Sequence, residues 1–515
     1  MRGWLGRLRA LAARLMTQHR LLCIALGAGA LVRVLVMVGY PGALWFAGDS
    51  YVYVGAALRL QPDLSKTTGY SLFLRVLEPL HSFVAVTAVQ HLSGLAVGVM
   101  VYALARRAGV SERWSVAAAL PVLLDGYEIE DEHLVMAEAL FTLLIVAAAL
   151  LILWWRRPAW PLALLAGVLV GYAVTVRSEG LPVLVLFPLA VALRDWRRWR
   201  QWLLAGLLAA GSLAPLAGYA VWFHQHNGTY GLTRSDGFYL WGRVSSFADC
   251  PVIKPPAYDL AICPAGTPSS RTPPGDFVWH AQNVRDLPGG PVTSANDTLL
   301  RDFAIRAVLA QPAGYAEAVA HGLWLSVRWP REEYPDPGTV SYYKFKLTPQ
   351  EIPADHSWIA GGTAYSDAVA YGHATPSRVI VPVATVVVLY QHLVYTYGPL
   401  FGLMLILGLG GLLRVRTREL GTVPVAGRSV PLAVPVAVSW CRRGSMLPWA
   451  TAVALLVFPI ATADFDYRYL LPILPFAGLA AALAFAPISP ATDAKLGKCT
   501  TSASIEPAGS TSSRA

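Results

Sequence analysis

The sequence predicts an all-α, multi-pass membrane protein with an extracytoplasmic soluble domain that is either α/β or irregular. First, 55% of the 515 residues are hydrophobic and only 14% are charged, whereas about a quarter of a typical soluble domain is charged. Second, apolar runs recur at lengths near the roughly 20 residues that a helix needs to cross a bilayer. Third, the basic residues, which give a net charge of +10, lie in short blocks between these runs. That pattern is typical of cytoplasmic loops and does not favour nucleic-acid binding.

The first apolar run follows a basic N-terminus, is long enough to span and shows no small-residue cleavage site, so we expect a retained first helix. About ten transmembrane helices are predicted in all. They cover residues 21–40, 83–105, 114–124, 134–154, 160–176, 180–193, 202–223, 393–413, 446–463 and 469–487. Arginine blocks fall in every second gap, and acidic or polar residues fill the others. The positive-inside rule therefore predicts cytoplasmic N- and C-termini.

A change of composition divides the chain. The segment 224–375 is rich in Pro, Gly, Asp and Trp and is predicted to be the extracytoplasmic domain, with 1–223 as the N-terminal transmembrane core. Residues 376–490 supply the C-terminal transmembrane helices, and the polar tail 491–515 is predicted to be disordered and cytoplasmic. Two finer expectations concern the gaps. A helix over 376–392 should lie on the outer surface, and Cys250 and Cys263 should form a disulfide on the oxidising side.

Ionisable side chains lie in or beside the predicted spans, all toward the outer ends. Within a span such a group costs roughly 2.5–3.5 kcal/mol, so its presence indicates a functional site. The candidates are Arg33, Asp49, Glu138, Arg177, Glu179, Asp464, Asp466 and Arg468. We expect several of them to meet at the outer membrane interface. For Arg33, a buried ion pair that fixes helix packing is an equal alternative.

Asp49 stands out because it lies in the first outer loop, WFAGDSYVYVG, between Trp45 and Phe46 on one side and Tyr51 on the other. Apolar surroundings should raise its pKa and its basicity, as suits a catalytic base. The alternative is an aromatic belt at the membrane interface. By contrast, Asp125, Glu128 and Glu130 of the acidic run DGYEIEDEH (125–133) are expected to lie in a solvated turn.

Several stretches, which follow one another along the chain, resemble motifs of a known family. They are Arg33 followed by the Asp49 loop, KTTGYSLFLRVL (66–77), VQHLSGL (89–95), HLVMAEALFTLL (133–144), VRSEGLPVL (176–184) and RYLLPILPF (468–476). On these motifs the chain resembles the GT-C superfamily of integral-membrane glycosyltransferases. Within it the chain is similar to the family-39-like enzymes that use phospholipid-carried sugars, such as protein O-mannosyltransferases and lipid A aminoarabinose transferases. The resemblance covers most of the membrane part and none of 224–375.

The resemblance implies an inverting transferase in the plasma membrane that moves a sugar from a polyprenyl-phosphate donor to an extracytoplasmic acceptor, which is a protein, a glycan or a lipid. Asp49 would be the catalytic base. Arg33, Arg177 and Arg468 would hold the leaving phosphate, since guanidinium binds phosphate oxygens in a bidentate manner. The further substrate-binding candidates are Tyr51, Glu138, Glu179 and Asp466.

One departure affects the expected chemistry. Many relatives have adjacent acidic residues in the first loop, whereas Ser50 follows Asp49 here. No cofactor is therefore assigned, and a divalent cation stays an open alternative. Glu138 or the pair Asp131 and Glu132 is the candidate second carboxylate.

Two other classes of function also agree with charged residues in a membrane protein. A transporter or lipid flippase also places charges in the membrane, but it should show them near the midplane and with broken helices in corresponding halves. The charges here collect toward one surface, which favours the transferase. The third reading is a non-catalytic scaffold that presents 224–375 to a partner.

Overall fold

Helices make up most of the computed structural model of this chain. It describes residues 17–46, 48–155, 158–357, 359–373, 377–413, 415–425, 428–438 and 443–486. The predicted disordered tail, 491–515, lies outside the described residues.

The N-terminal part is a series of apolar helices joined by short connections. These are α1 (Arg20–Gly39), α2 (Asp49–Arg59), α3 (Gly69–Leu77), α4 (Phe83–Arg107), α5 (Glu112–Leu124), α6 (Gly126–Asp131), α7 (Glu138–Leu153), α8 (Trp160–Val176), α9 (Val183–Leu193) and α10 (Trp199–Asn227). Short 3-10 turns cover Glu78–Leu80 and Ser178–Gly180. The last residues of α8 and the first of α7 end up at the same end of the bundle, because the two helices pack antiparallel through a short connection.

Glycines set the closest approach in this part, between α8 and α10. A Cβ on Gly167 would lie 2.1 Å from the carbonyl oxygen of Leu208, and one on Gly211 would lie 2.4 Å from that of Leu164. Small residues at helix crossings of this kind allow close backbone packing in membranes.

Within the described ranges, four helices are long and apolar enough to cross a membrane, namely Arg20–Gly39, Phe83–Arg107, Trp199–Asn227 and Ser445–Thr462. A bent pair, Val381–Leu393 with Gly398–Leu412, gives a fifth candidate. Shorter apolar helices cover Glu138–Leu153, Trp160–Val176, Ser178–Leu193 and Tyr467–Leu483. Apolar helices of this number and length are those of a membrane protein. The total of ten spans stays a prediction, because it also counts the shorter helices.

The segment 224–375 is built from short helices. They are α11 (Asp236–Ser245), α12 (Cys250–Ile253), α13 (Pro274–His280), α14 (Gln282–Arg285), α15 (Ser294–Ala310), α16 (Pro312–Val327), α17 (Pro337–Ser341) and α18 (Ala364–Gly372), with 3-10 turns at Ala257–Ile262 and Pro268–Ser270. No strand occurs among its described residues, so of the two alternatives the irregular one agrees with the structure and α/β is wrong. The Cys250–Cys263 disulfide is present.

The segment 224–375 has two parts that pack differently. Residues from Phe238 to Ala307 surround a core of their own, with Trp241 and Phe303 fully buried at its centre. From Leu325 onward, the buried side chains belong instead to the large core of the apolar helices. The second half of the segment is therefore attached directly to the bundle.

The C-terminal part contains α19 (Val381–Leu393), α20 (Gly398–Leu412), the strands β1 (Val415–Val425) and β2 (Arg428–Val438), α21 (Arg443–Thr462), a 3-10 helix at Tyr467–Ile473, and α22 (Leu474–Leu483). The two strands pair antiparallel, and the sequence analysis did not anticipate them. A helix was predicted over 376–392, and α19 is that helix. It meets α20 at a bend of 51°.

The acidic run 125–133 was expected to be solvated, and this is wrong. Asp125, Glu128 and Glu130 are all nearly inaccessible to solvent. Asp125 explains part of the burial, because its carboxylate accepts hydrogen bonds from the backbone N–H of Tyr127 at the start of α6 and of Thr396, 271 residues away. The turn is thus an internal connection, covered by the α19–α20 junction.

Candidate functional site

Asp49 is the first residue of α2 and is held between two cations. Its Oδ1 lies 2.6 Å from Nζ of Lys66, and its Oδ2 accepts a hydrogen bond of 2.9 Å from Nη1 of Arg468. Arg468 is 419 residues away along the chain. The Asp49 side chain is 12% exposed, so both pairs form with little screening by water.

The two cations overturn one expectation. Burial alone raises the pKa of Asp49, as the apolar loop suggested, but Lys66 and Arg468 outweigh burial and lower that pKa to about 2. The same pairing raises the pKa of Lys66 against the effect of burial. Asp49 is therefore ionised at neutral pH and a weak base as long as both cations face it.

Arg177, Glu138 and Glu179 extend the ion pairs. Arg177 forms a salt bridge with Glu138 through Nη1, and its Nη2 and Nε donate to the two oxygens of Glu179 at 2.9 and 3.2 Å. Arg468 joins them, since its Nη1 lies 3.9 Å from Oε1 of Glu138. Glu138 is 1% exposed and faces both of these arginines.

The local secondary structure sets the position of each charged side chain. Glu138 begins α7 and Arg177 directly follows the last residue of α8, so the ends of two neighbouring helices bring them together. Asp466 caps the 3-10 helix of Tyr467–Ile473 by accepting from the backbone N–H of Arg468 at 3.2 Å. Its Oδ2 also lies 3.3 Å from Nε of Arg468 and accepts from the hydroxyl of Tyr343 at 2.7 Å.

We call these seven residues the charged cluster: Asp49, Lys66, Glu138, Arg177, Glu179, Asp466 and Arg468. The structure thus brings together five of the candidate charges from distant parts of the chain, as well as Asp49 itself. Four carboxylates face three cations in a site with little access to water. Such a site can bind an anion at the cations and accept a proton at a carboxylate.

Aromatic rings form the walls of the charged cluster. The Arg468 guanidinium lies over the rings of Phe46, at 5.0 Å, and Tyr469, at 5.4 Å, and Arg177 lies 5.6 Å from the same Tyr469 ring. Phe46 in turn stacks on Tyr343. Cation–π contacts of this kind stabilise both guanidinium groups in the site.

Tyr51, a predicted substrate-binding residue, is buried on the first loop. Its ring stacks on Trp45 with the centroids 5.4 Å apart and the planes 14° apart. The loop aromatics therefore form a packed unit rather than an interfacial belt alone. Its role in substrate binding stays a prediction.

Arg33 lies in a different network. Its Nε and Nη2 bind both oxygens of Glu132, at 2.7 and 2.6 Å. The remaining N–H groups donate to the carbonyl oxygens of Gly29, Leu123 and Val122. A guanidinium has five N–H donors, so Arg33 has no donor left for a phosphate, and the ion-pair alternative describes its position. Glu132 is likewise engaged, with Arg33 and His91.

Sequence reasoning missed Lys66, Tyr343 and Arg243. Lys66 opens the motif KTTGYSLFLRVL, so a signal was present, but its charge was not considered. Arg243 pairs with Asp464 at 2.9 Å, and the hydroxyl of Tyr334 donates to the same carboxylate at 2.7 Å. No sequence signal points to Tyr343 or Arg243, since both lie in 224–375, for which no motif was recognised.

A narrow cleft with a volume of about 10 Å³, room for roughly one water molecule, adjoins the charged cluster. It is lined by Phe141, Arg177, Glu179, Leu455, Pro459, Tyr469 and Pro472. Within the part of the chain that the structure describes, no group of three or more His, Cys, Asp or Glu residues could hold a metal ion. The cleft therefore presents one cation, one carboxylate and apolar walls.

Comparison with protein families adds an independent finding. The family model described as dolichyl-phosphate-mannose-protein mannosyltransferase, a GT-C family domain, matches residues 63–231. The matched part holds Lys66, Glu138, Arg177 and Glu179 of the charged cluster, while Asp49 and Arg468 lie on either side of it. A search of the curated proteins found no match. The resemblance to GT-C glycosyltransferases is confirmed.

Proposed function

We propose, from the premise that the chain carries a domain of the dolichyl-phosphate-mannose-protein mannosyltransferase family, that it transfers a sugar from a polyprenyl-phosphate donor to an acceptor hydroxyl with inversion at the anomeric carbon. The family name supports mannose as the sugar and a protein as the acceptor. The observation that carries the proposal is Asp49 held between Lys66 and Arg468, with Arg177 close by.

Asp49 acts as the base in this reaction. As the acceptor oxygen attacks the anomeric carbon, its proton passes to the Asp49 carboxylate and a new carbon–oxygen bond forms. The bond from the anomeric carbon to the phosphate oxygen breaks on the opposite face, and the polyprenyl phosphate leaves with the electron pair. A positioned base of this kind contributes typically 10²- to 10⁴-fold in rate.

The cations stabilise the leaving phosphate as its charge grows. Arg177 contacts Oε1 of Glu138, and Nη1 of Arg468 lies 3.9 Å from the same atom. The two guanidinium groups are therefore close enough together to pair with one phosphate. Cations already held in the site stabilise such oxygens as charge develops on them, and this is the main electrostatic contribution in many enzymes.

Donor binding also prepares the base. Phosphate oxygens that pair with Arg468 or Lys66 compete with Asp49 for the same positive charge. As the cations turn to the phosphate, the influence that lowers the Asp49 pKa weakens and its basicity rises. Asp49 thus becomes an effective base once the donor is bound, which disfavours proton uptake in its absence.

The position of the reaction follows from the substrates. A polyprenyl tail stays in lipid while its phosphate and sugar need a polar site at the membrane surface. The alternation of arginine blocks supports a plasma-membrane protein with cytoplasmic termini and a charged cluster on the extracytoplasmic face.

The proposal is tested with the full chain in lipid nanodiscs, polyprenyl-phosphate mannose and a peptide rich in Ser and Thr. Release of polyprenyl phosphate and mannosylation of the peptide are both measured. We expect Asp49→Asn to lower turnover by at least about 100-fold, in line with the loss of a general base. The matched control is Asp195→Asn, which removes the same charge from an exposed pair with Arg198 and should leave turnover unchanged.

Two outcomes would contradict the proposal. Equal turnover in wild type and Asp49→Asn removes Asp49 as the base. Absence of polyprenyl phosphate release by the wild type, across donors that carry different sugars, argues against transfer from a lipid phosphate.

A further inference from the structure

A large apolar groove runs along the bundle on another side from the cleft. Its walls come from α5, α20 and α22, and its volume is about 450 Å³. Its lining includes Trp114, Ala117, Leu124, Tyr395, Thr396 and Phe485. Apart from Asp125 and Thr396 at one end, every lining side chain is apolar or aromatic.

The groove has the length of one lipid chain. Trp114 and Leu124 are ten positions apart on α5, which at 1.5 Å per residue is about 15 Å. Half of a hydrocarbon core of about 30 Å has the same depth. At the far end of the groove the rings of Trp114 and Phe485 stack with their centroids 4.4 Å apart.

A cation stands at the open end. Arg331 lies over three tyrosine rings, with its guanidinium carbon 4.4 Å from the centroid of Tyr127, 4.8 Å from Tyr395 and 4.9 Å from Tyr467. Tyr395 lines the groove, and Nη2 of Arg331 donates to the carbonyl oxygen of Thr396 at 3.4 Å. Among the described residues no carboxylate forms a salt bridge with Arg331. Stacked rings leave the N–H edge of a guanidinium to bind an anion.

Two further features of the open end set its charge. The 15-residue helix α20 begins there at Gly398, and the positive end of a helix dipole favours an anion. Asp125 also lies there, but hydrogen bonds from the backbone N–H of Tyr127, Glu128 and Thr396 engage its two oxygens. The Asp125 carboxylate thus faces backbone N–H groups, whereas Arg331 keeps guanidinium N–H donors for a ligand.

We infer that this groove binds a phospholipid with an anionic headgroup from the surrounding membrane, with one acyl chain in the groove and the headgroup phosphate at Arg331. An amphiphile with a negative head and a straight hydrocarbon tail complements a cation above an apolar channel of this length. The inference stands apart from the proposed glycosyl transfer.

The polyprenyl donor does not fit this groove as well. Tyr467 faces Arg331, while the next residue, Arg468, faces Asp49, so the groove and the charged cluster lie on different sides of the same 3-10 helix. A donor whose phosphate sat at Arg331 would hold its sugar away from Asp49. A polyprenyl chain would also be far longer than the groove, whose α5 wall is about 15 Å long.

The test counts bound lipid. The full-length protein is delipidated in detergent, mixed with equal amounts of phosphatidylglycerol and phosphatidylcholine, and examined by native mass spectrometry. We expect the wild type to retain phosphatidylglycerol, Arg331→Gln to reduce its preference over phosphatidylcholine about fivefold, and Ala117→Phe, which fills the groove from an exposed position, to reduce binding of both lipids.

Matched variants control for charge and bulk elsewhere. Arg301→Gln removes an exposed arginine of α15, and Leu213→Phe enlarges an exposed side chain on α10; both should bind lipid as the wild type does. If Arg331→Gln proves unfolded, the comparison of Ala117→Phe with Leu213→Phe decides.

Three results would overturn the inference: the same lipid preference in Arg331→Gln and wild type, undiminished binding by Ala117→Phe, or displacement of phosphatidylglycerol by an equimolar amount of polyprenyl phosphate. The assay measures no sugar transfer, so its failure is distinct from a failure of the proposed function.

Discussion

Lys66 controls the charge state of Asp49, since it is one of the two cations that lower the pKa of that carboxyl to about 2. Lys66→Gln removes one of them, so the pKa of Asp49 rises and its ionised form is lost at a higher pH than in the wild type. We therefore predict that the acidic limb of the pH profile of polyprenyl phosphate release moves to higher pH. Lys344→Gln, at an exposed lysine, should leave the profile in place, and an unshifted limb in Lys66→Gln would show that Asp49 does not govern it.

Substitution of Arg33 tests whether this residue stabilises helix packing or contacts the substrate. Arg33→Met leaves Glu132 buried without its main cation, and the loss of one partner from a buried pair costs roughly 3–5 kcal/mol. We predict a corresponding fall in the free energy of unfolding, measured by denaturant titration in detergent, and partial recovery in Arg33→Met combined with Glu132→Gln. A variant that stayed as stable as the wild type but bound the donor weakly would show that Arg33 contacts the substrate.

At the scale of the element, the α8–α10 crossing carries Arg177 to the charged cluster. Gly167→Ala places a Cβ 2.1 Å from the Leu208 carbonyl oxygen, so α8 must shift; overpacking of this kind costs typically 1–3 kcal/mol. We predict lower thermal stability and lower turnover together, measured on the same purified protein. Gly206→Ala, on α10 where a Cβ meets open space, is the matched control, and equal behaviour of the two variants would mean that the crossing tolerates movement.

On the scale of the whole molecule, Asp464 ties the segment 224–375 to the 3-10 helix that carries Arg468. It receives Arg243 at 2.9 Å, the Tyr334 hydroxyl and the backbone N–H of Gly275. Arg243→Met leaves this buried carboxylate without its cation, and we predict an unfolding free energy lower by about 3 kcal/mol and a reduced turnover at saturating donor. Arg285→Met, at an exposed arginine of α14, should change neither, and full turnover in Arg243→Met would show that the two parts act independently.

The local sequence pattern was enough to predict the helices, but it was not enough to predict which charged side chains form ion pairs. The apolar runs predicted α1 and α8 almost to the residue, because length and hydropathy decide which segments can cross a bilayer. They missed the β1–β2 hairpin, which lies in a stretch that was considered only for its arginines. The pattern also wrongly predicted that Asp125 and its neighbours are solvated, since nothing in an acidic run shows which distant helix will cover it.

By itself the sequence determined the membrane class, the order of the helices, the family resemblance and the concentration of ionisable side chains at helix ends, because each of these depends on composition and short-range spacing. Only the tertiary structure decided that Asp49 meets Lys66 and Arg468, that Arg33 is used up on Glu132, and that the Asp49 pKa falls instead of rising. The electrostatic energy of a buried charge depends on which partner lies within a few ångströms, and for Asp49 and Arg468 that partner is 419 residues away.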